Sequence, residues 1–212
     1  VGNASLLSSF EPKEPVLPDY AEFTVRFIIF ALAHSLCATN RAKQLISTAA
    51  VGEPRFYRLA YNLASFILFI WVMAAYRTSP VLYFAPGIWS LVLYALQTGV
   101  AIILFQCIRQ TGAGDFIGTN QISSPRNHPL KLVTNGCYSH VRHPLYFYST
   151  LFLFLNPVMT AQWALLTIYS LIYFIIGGLI EERRLLKTFG TEYTLYQQAV
   201  PFMIPSVKPF KR

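Results

Sequence analysis

Two short stretches of this chain carry residues that packing does not require. The first runs Gly136-Cys137-Tyr138-Ser139-His140-Val141-Arg142-His143-Pro144-Leu145-Tyr146, and the second is the pair Glu181-Glu182. Both lie at the ends of apolar runs, where a membrane helix meets water, and ionisable groups at such places are functional candidates by default. A guanidinium, an imidazole and two carboxylates brought together there, ringed by Tyr138, Tyr146, Tyr193 and Tyr196, would suit a cationic or zwitterionic ligand. Carboxylates hold an ammonium, and aromatic faces stabilise a sulfonium or quaternary centre.

The elements that must bring them together are legible in the apolar runs. Residues 145–155 and 161–180 are apolar and flank Asn156-Pro157, a turn signal, so they read as a helical hairpin. A hairpin returns its second leg to the level where the first began, which makes His143 and Glu181 neighbours. Pro144 suits a first helical turn, where its missing N–H costs nothing. Beyond Ile180 the helix continues as an amphipathic stretch over 181–189, stopped by Gly190 in a C-cap position. Thr191 caps a further short helix that Pro201 ends, with Tyr193, Tyr196 and Val200 on one face.

Of the 212 residues, 54% are hydrophobic and only 12% charged, about half the charge of an ordinary soluble domain. Residues 59–76, 88–107 and 161–180 contain no charge and approach the ~20 residues that cross a ~30 Å hydrocarbon layer. A fourth span, 23–38, is interrupted by Arg26 and His34. The fold class is therefore all-α: an integral, multi-pass membrane protein of about five helices forming a single domain over 1–212. An outer polar segment covers 1–20, and the chemistry-bearing core covers 136–205.

The net charge of +8 is distributed by loop. Arg41, Lys43, Arg55 and Arg58 follow the first span, and Arg109, Arg126, Lys131 and Arg142 follow the third. Arg183, Arg184, Lys187, Lys208, Lys211 and Arg212 follow the last, leaving Lys13, Arg77 and Arg26 at the other side. This positive-inside pattern puts those loops, the site and the C-terminus in the cytosol and the N-terminus outside or in a lumen. The partner implied is the bilayer and its anionic headgroups, not nucleic acid. No cleavable signal peptide is visible at the polar, proline-bearing start. Cys37, Cys107 and Cys137 lack metal-ligand spacing, and a structural disulfide is not expected in or beside cytosolic membrane helices.

Other groups read as structural. His34 suits a buried histidine bonded within the bundle, His128, His140 and His143 lack the companions of a metal site, and Asp115 suits a turn. Gly112-x-Gly114 follows no strand and is too short for a dinucleotide fingerprint. Trp71, Trp89 and Trp163 sit near span ends or within spans, as interface anchors do. Taken singly, Glu181 and Arg184 form an i, i+3 surface pair and Arg142 is a snorkelling anchor. Convergence at one hairpin mouth is what favours a site.

The pattern Gly-x-Tyr-x-x-Val-Arg-His-Pro-x-Tyr from Gly136 to Tyr146 resembles the superfamily of isoprenylcysteine carboxyl methyltransferases and phospholipid methyltransferases. So does Glu-Glu-x-x-Leu-x-x-x-Phe-Gly-x-x-Tyr-x-x-Tyr-x-x-x-Val-Pro-x-x-Ile-Pro from Glu181 to Pro205. His34-Ser35-Leu36 and the stretch from Arg55 to Asn62 look like a bacterial branch with small-thiol methyltransferases and proteins of denitrification clusters. The resemblance implies S-adenosyl-L-methionine in a cytosolic pocket and methyl transfer to a lipid-accessible or small hydrophobic carboxylate, amine or thiol. It implies cofactor contacts from Gly136, Tyr138, Val141, His143, Pro144, Tyr146, Glu181, Glu182, Tyr193 and Tyr196. Arg142 would orient an acidic acceptor or headgroup, and Glu182 would take a proton from a thiol or amine. Cys137, Ser139, Tyr148 and Phe202 depart from the family pattern, and the lost basic charge at Ser139 and Phe202 weakens the case for a carboxylate acceptor. Membrane sterol-type reductases share such a hairpin but use NADPH, and some relatives of the denitrification branch hold haem, for which His34 would be the natural ligand. A non-catalytic scaffold is the third reading.

Overall fold

A computed structural model describes residues 17–49, 55–123 and 131–209. Most of the outer polar segment, the Gly52-x-Pro54 connection, Arg126, His128, Lys211 and Arg212 lie outside these residues.

The described chain is almost entirely helical. Helices α1 (Leu17–Cys37), α4 (Ile88–Gln110) and α8 (Ala161–Phe189) are long and apolar enough to cross a membrane. Helices α3 (Tyr57–Met73) and α7 (Pro144–Phe154) are apolar but shorter, so three spans stand by length where about five were expected. At 1.5 Å per residue, α7 covers only about 16 Å. A 29-residue α8 is about 43 Å long against a hydrocarbon layer of ~30 Å, so its charged end over 181–189 projects past the apolar part. Large apolar side chains on the outside, among them Ile28, Leu32, Phe66, Ile70, Leu96, Ile102, Ile172 and Ile176, face what lipid would cover.

Between these helices, α2 (Asn40–Ala49) follows α1, and α5 (Ala113–Ile117) and α6 (Thr119–Ser123) follow α4. Asn62 ties α5 to α3 by donating to the carbonyls of Phe116 at 3.0 Å and Ile117 at 2.8 Å. Asp115 lies in the first turn of α5 and not in an open turn. At the far end, β1 (Val81–Phe84) pairs antiparallel with β2 (Val158–Thr160), which closes the α7–α8 hairpin. The turn at Asn156-Pro157 was expected, but the strand after it was not. Gln162, buried there, accepts from Arg77 N–H at 2.7 Å and donates to the Ala75 carbonyl at 3.0 Å.

The core between α1, α3 and α8 is Phe23, Phe27, Val72, Ala75 and Leu166. His34 is bonded within this bundle. Ser65 gives its proton to the Tyr61 carbonyl, so it accepts from His34 Nδ1–H at 2.8 Å, while the Tyr61 hydroxyl is hydrogen-bonded to Nε2 at 2.7 Å. Both ring nitrogens are engaged in tying α1 to α3. Helix α9 (Thr191–Ala199) packs back on α8 through Tyr193, Tyr196 and Val200 against Leu185, Leu186 and Phe189. Gly190, at φ +54°, is both the C-cap of α8 and the N-cap of α9, so Thr191 is the first helical residue and not the cap.

Candidate active site

Helices α7, α8 and α9 and the segment after α9 converge on one carboxylate. Glu182 is buried and receives Arg142 Nε–H at 2.8 Å on Oε1 and Arg142 Nη2–H at 3.1 Å on Oε2, a bidentate fork. Oε1 also accepts from His143 Nε2–H at 2.9 Å and from the Tyr193 hydroxyl at 2.8 Å, and Oε2 accepts from the Gln197 amide. The remaining arm of Arg142, Nη1, donates to the carbonyls of Gln197 at 2.9 Å and Val200 at 2.5 Å, capping the end of α9. Arg142 N–H donates to the Pro201 carbonyl at 2.9 Å, and His143 N–H to that of Phe202 at 3.3 Å. The segment after α9 is thereby laid against the start of α7.

Burial alone would raise the Glu182 pKa, but the donors from Arg142, Tyr193, Gln197 and His143 outweigh it and hold it down at about 2. An unfolded glutamate titrates near 4.3. The folded value is the lower one, so the stabilisation is complete above about pH 4.3 and is lost as pH falls toward 2. Thermal unfolding in mild detergent should therefore show a midpoint held from neutral pH down to about 5 and falling below about 4. A Glu182→Gln variant should lose that acid limb. Burial, with Glu182 beside it, pushes the Tyr193 phenol above its ordinary value, so it stays a donor. Burial likewise raises Tyr138 and Tyr196.

Glu181 has a different environment. One oxygen, Oε2, accepts from the Tyr146 hydroxyl at 3.0 Å and lies 3.7 Å from His143 Nδ1. Among the described residues the other, Oε1, has only the exposed Arg184 at 3.7 Å. Above this carboxylate lies an aromatic stack: His143 on Tyr146 with centroids 5.4 Å apart and planes at 7°, and Tyr146 on Phe174 at 5.2 Å and 10°. Phe202 meets the His143 ring edge-on at 4.9 Å. Gly178 makes room for it, since a Cβ there would stand 2.8 Å from the Phe202 ring.

The 3₁₀ turn Gly136–Ser139 supplies the remaining wall. Gly136 sits at φ +58°, where a side chain is strained, and a Cβ on it would fall 2.3 Å from the Gln110 amide and force that side chain to shift. Gln110 accepts from Cys137 N–H at 2.9 Å, and the Tyr196 hydroxyl donates to the Tyr138 carbonyl at 2.5 Å. Beside this turn Cys107, near the end of α4, is disulfide-bonded to Cys137, correcting the expectation of free thiols. Cys37 is free and exposed.

All eleven expected positions from Gly136 to Tyr196 fall in this region. Arg142, His143 and Tyr193 each bond Glu182, Tyr146 bonds Glu181, and Tyr196 bonds the Tyr138 carbonyl. Val141 and Pro144 are buried in the backbone frame and present no polar group. Two expected roles do not fit this geometry. Arg142 has Glu182 and two carbonyls as partners, which leaves little of it for an acidic acceptor. Glu182, with five donors and a pKa of about 2, is a poor proton acceptor for a thiol or amine. Sequence reasoning missed Gln197, Gln110 and Gly178. It noticed Phe202 only as a lost basic residue. Among the described residues no group of three His, Cys, Asp or Glu comes together to hold a metal.

This arrangement can be set beside known proteins. The family model described as phospholipid methyltransferase matches residues 86–192, just over half of the chain, including both the Gly136–Tyr146 stretch and Glu181-Glu182. The chain belongs to the phospholipid methyltransferase family. Among its relatives is a methanethiol S-methyltransferase 1 of Bradyrhizobium diazoefficiens, 28% identical over 84% of this chain and 64% of that protein. A methanethiol S-methyltransferase of Crocosphaera subtropica is 26% identical over 84% of this chain and 72% of its own length. The human protein-S-isoprenylcysteine O-methyltransferase is 30% identical over 54% of this chain and 42% of that protein. The chain thus spans less than two thirds of the Bradyrhizobium relative. No solved structure matches.

Proposed function

We propose that this protein transfers a methyl group from S-adenosyl-L-methionine to a small hydrophobic or lipid-accessible acceptor at the membrane surface. The observation that carries the reading is the division of labour between two adjacent carboxylates. Glu182 is saturated by donors and organises the site, while Glu181 keeps one oxygen for a ligand beside a ledge of His143, Tyr146 and Phe202. That combination fits the cofactor's ammonium and its aromatic base, with Tyr138 and the Gly136 turn closing the other side. The cofactor, when bound, brings a methyl group already activated by its sulfonium. What the protein must add is alignment of an acceptor lone pair and exclusion of competing water. Little acid–base work is needed.

The acceptor's approach is supported by an apolar groove of about 240 Å³ between α1 and α8, lined by Thr24, Phe27, Ala31, Tyr169, Tyr173 and Ile176. On α8 the row Tyr169, Tyr173, Gly177, Glu181 follows i, i+4 spacing. Gly177 leaves the row open between the groove and the carboxylate, with only the Tyr146 hydroxyl 3.8 Å from where its Cβ would lie. An apolar groove disfavours a charged amine, and the Arg142 guanidinium is already paired, which disfavours a carboxylate. A neutral thiol, the acceptor class named for the two bacterial relatives, suits both features.

The experiment is calorimetric titration of S-adenosyl-L-methionine and S-adenosylhomocysteine into the detergent-purified protein, followed by assay of methyl transfer to small thiols. Saturable binding of both cofactors, with methylated thiol formed, is the expected result. NADPH binding or a haem absorption band in their place would overturn the reading.

A further inference from the structure

The covalent link between α4 and the Gly136–Ser139 turn plays no part in the chemistry proposed above, and it lies where the basic loops place the cytosol. Disulfides that form in a reducing compartment are usually transient and redox-sensing or catalytic. We propose that Cys137 and Cys107 form a reversible exchange site for small-molecule disulfides, whose state stiffens or loosens the turn that walls the candidate cofactor site.

Three observations support this. The Cα atoms are 5.7 Å apart, within the range a bridge needs without moving backbone. The turn is also held independently, because Gln110 accepts from Cys137 N–H at 2.9 Å and Tyr196 donates to the Tyr138 carbonyl at 2.5 Å. Reduction therefore leaves the two sulfurs near each other, and the bridge can re-form. Finally, the two cysteines differ in access: Cys107 is fully buried, whereas Cys137 is only half-buried. An incoming disulfide meets Cys137 first.

The Cys137 thiolate attacks one sulfur of a small disulfide RSSR, whose S–S bond breaks, and RS⁻ leaves and takes up the proton Cys137 gave. Cys107, deprotonated in turn, attacks the Cys137 sulfur and displaces the second RS⁻, which is protonated likewise. Two protein thiols are oxidised and one RSSR is reduced to two RSH. Two small thiols reverse the sequence.

The effect on ligand rests on the methyltransferase reading, since Gly136 and Tyr138 belong to the cofactor wall there. A wall fixed before binding pays less ordering entropy. S-adenosylhomocysteine should bind about fivefold more tightly to the bridged form than to the dithiol.

The test uses the full chain carrying Cys37→Ser, equilibrated in detergent with glutathione and glutathione disulfide across a range of ratios. Thiols are then trapped by alkylation, and the 107–137 link is quantified by mass spectrometry. The expected result is a shift from dithiol to bridge across the range, slower amide exchange over Gly136–Ser139 when bridged, and the fivefold affinity difference. Cys107→Ser and Cys137→Ser should each abolish the response. A bridge that survives the most reducing ratio would be a permanent structural bond, and thiols that never pair would mean no site; either overturns the proposal. So does a bridge that cycles while amide exchange stays unchanged. If the bridge cycles and exchange responds but neither form binds S-adenosylhomocysteine, the redox site stands and the cofactor reading falls. If both forms bind it equally, the control of the site is overturned.

Discussion

Arg142→Ala is expected to destabilise the fold by about 3–5 kcal/mol, the cost of leaving a buried carboxylate without its partner. The guanidinium makes four hydrogen bonds, two to Glu182 and two to the carbonyls that end α9, and it lies 5.8 Å from the Phe202 ring centroid. Its loss would weaken the hold of α9 and the segment after it on the start of α7, leaving the backbone pairs of residues 142 and 143 with Pro201 and Phe202, the Tyr196–Tyr138 bond and the two His140–Ser206 bonds. Arg142→Lys should recover only part of this, because an ammonium cannot span both carboxylate oxygens and two carbonyls at once. The measurement is thermal unfolding in detergent beside calorimetry with S-adenosylhomocysteine. A drop in stability with binding lost in proportion is the expected outcome. An unchanged melting midpoint with a raised KM confined to the acceptor would instead make Arg142 an acceptor-orienting residue, the role its position in the sequence first suggested.

That contrast shows how far the sequence could be read. Apolar runs and breakers placed the long helices, because a lipid-facing helix must be apolar all round and the signal is strong. Pro144 and Gly190 marked helix ends for local backbone reasons that do not depend on the rest of the fold. The hairpin argument brought residue 143 to residue 181, and the structure joins His143 to both glutamates. The pairing within the cluster was not legible. Adjacent glutamates on a helix point about 100° apart. Which of them faces Arg142 depends on the rotation of α8, and that is set by contacts such as Phe202 against Gly178. Gln197 and Gln110 were invisible for a similar reason: a polar amide carries no periodic signal, and its partner is fixed by tertiary approach. The β1–β2 pair was missed because three or four apolar residues at a helix boundary look like more of the helix. The Cys107–Cys137 bond was missed because compartment arguments speak to persistence and not to proximity.

Glu181→Gln should separate binding from folding where Arg142→Ala cannot. The Glu181 side chain is 33% exposed and among the described residues it bonds Tyr146, with weak contacts at 3.7 Å to His143 and Arg184, so neutralising it removes little from the fold. The glutamine carbonyl can still accept from the Tyr146 hydroxyl. What disappears is the charge available to a ligand ammonium, and a hydrogen bond to a charged group contributes about 1.5–3 kcal/mol. S-adenosylhomocysteine affinity is therefore expected to fall by roughly 10- to 150-fold while the melting midpoint moves by no more than about a degree. The reverse result, full affinity in Glu181→Gln and loss only on changing Glu182, would mean that the saturated carboxylate opens to receive the cofactor. The division of labour between the two glutamates would then be wrong. Because the substitution keeps size, shape and the Tyr146 bond, a selective loss of affinity has no structural explanation and reports the charge alone.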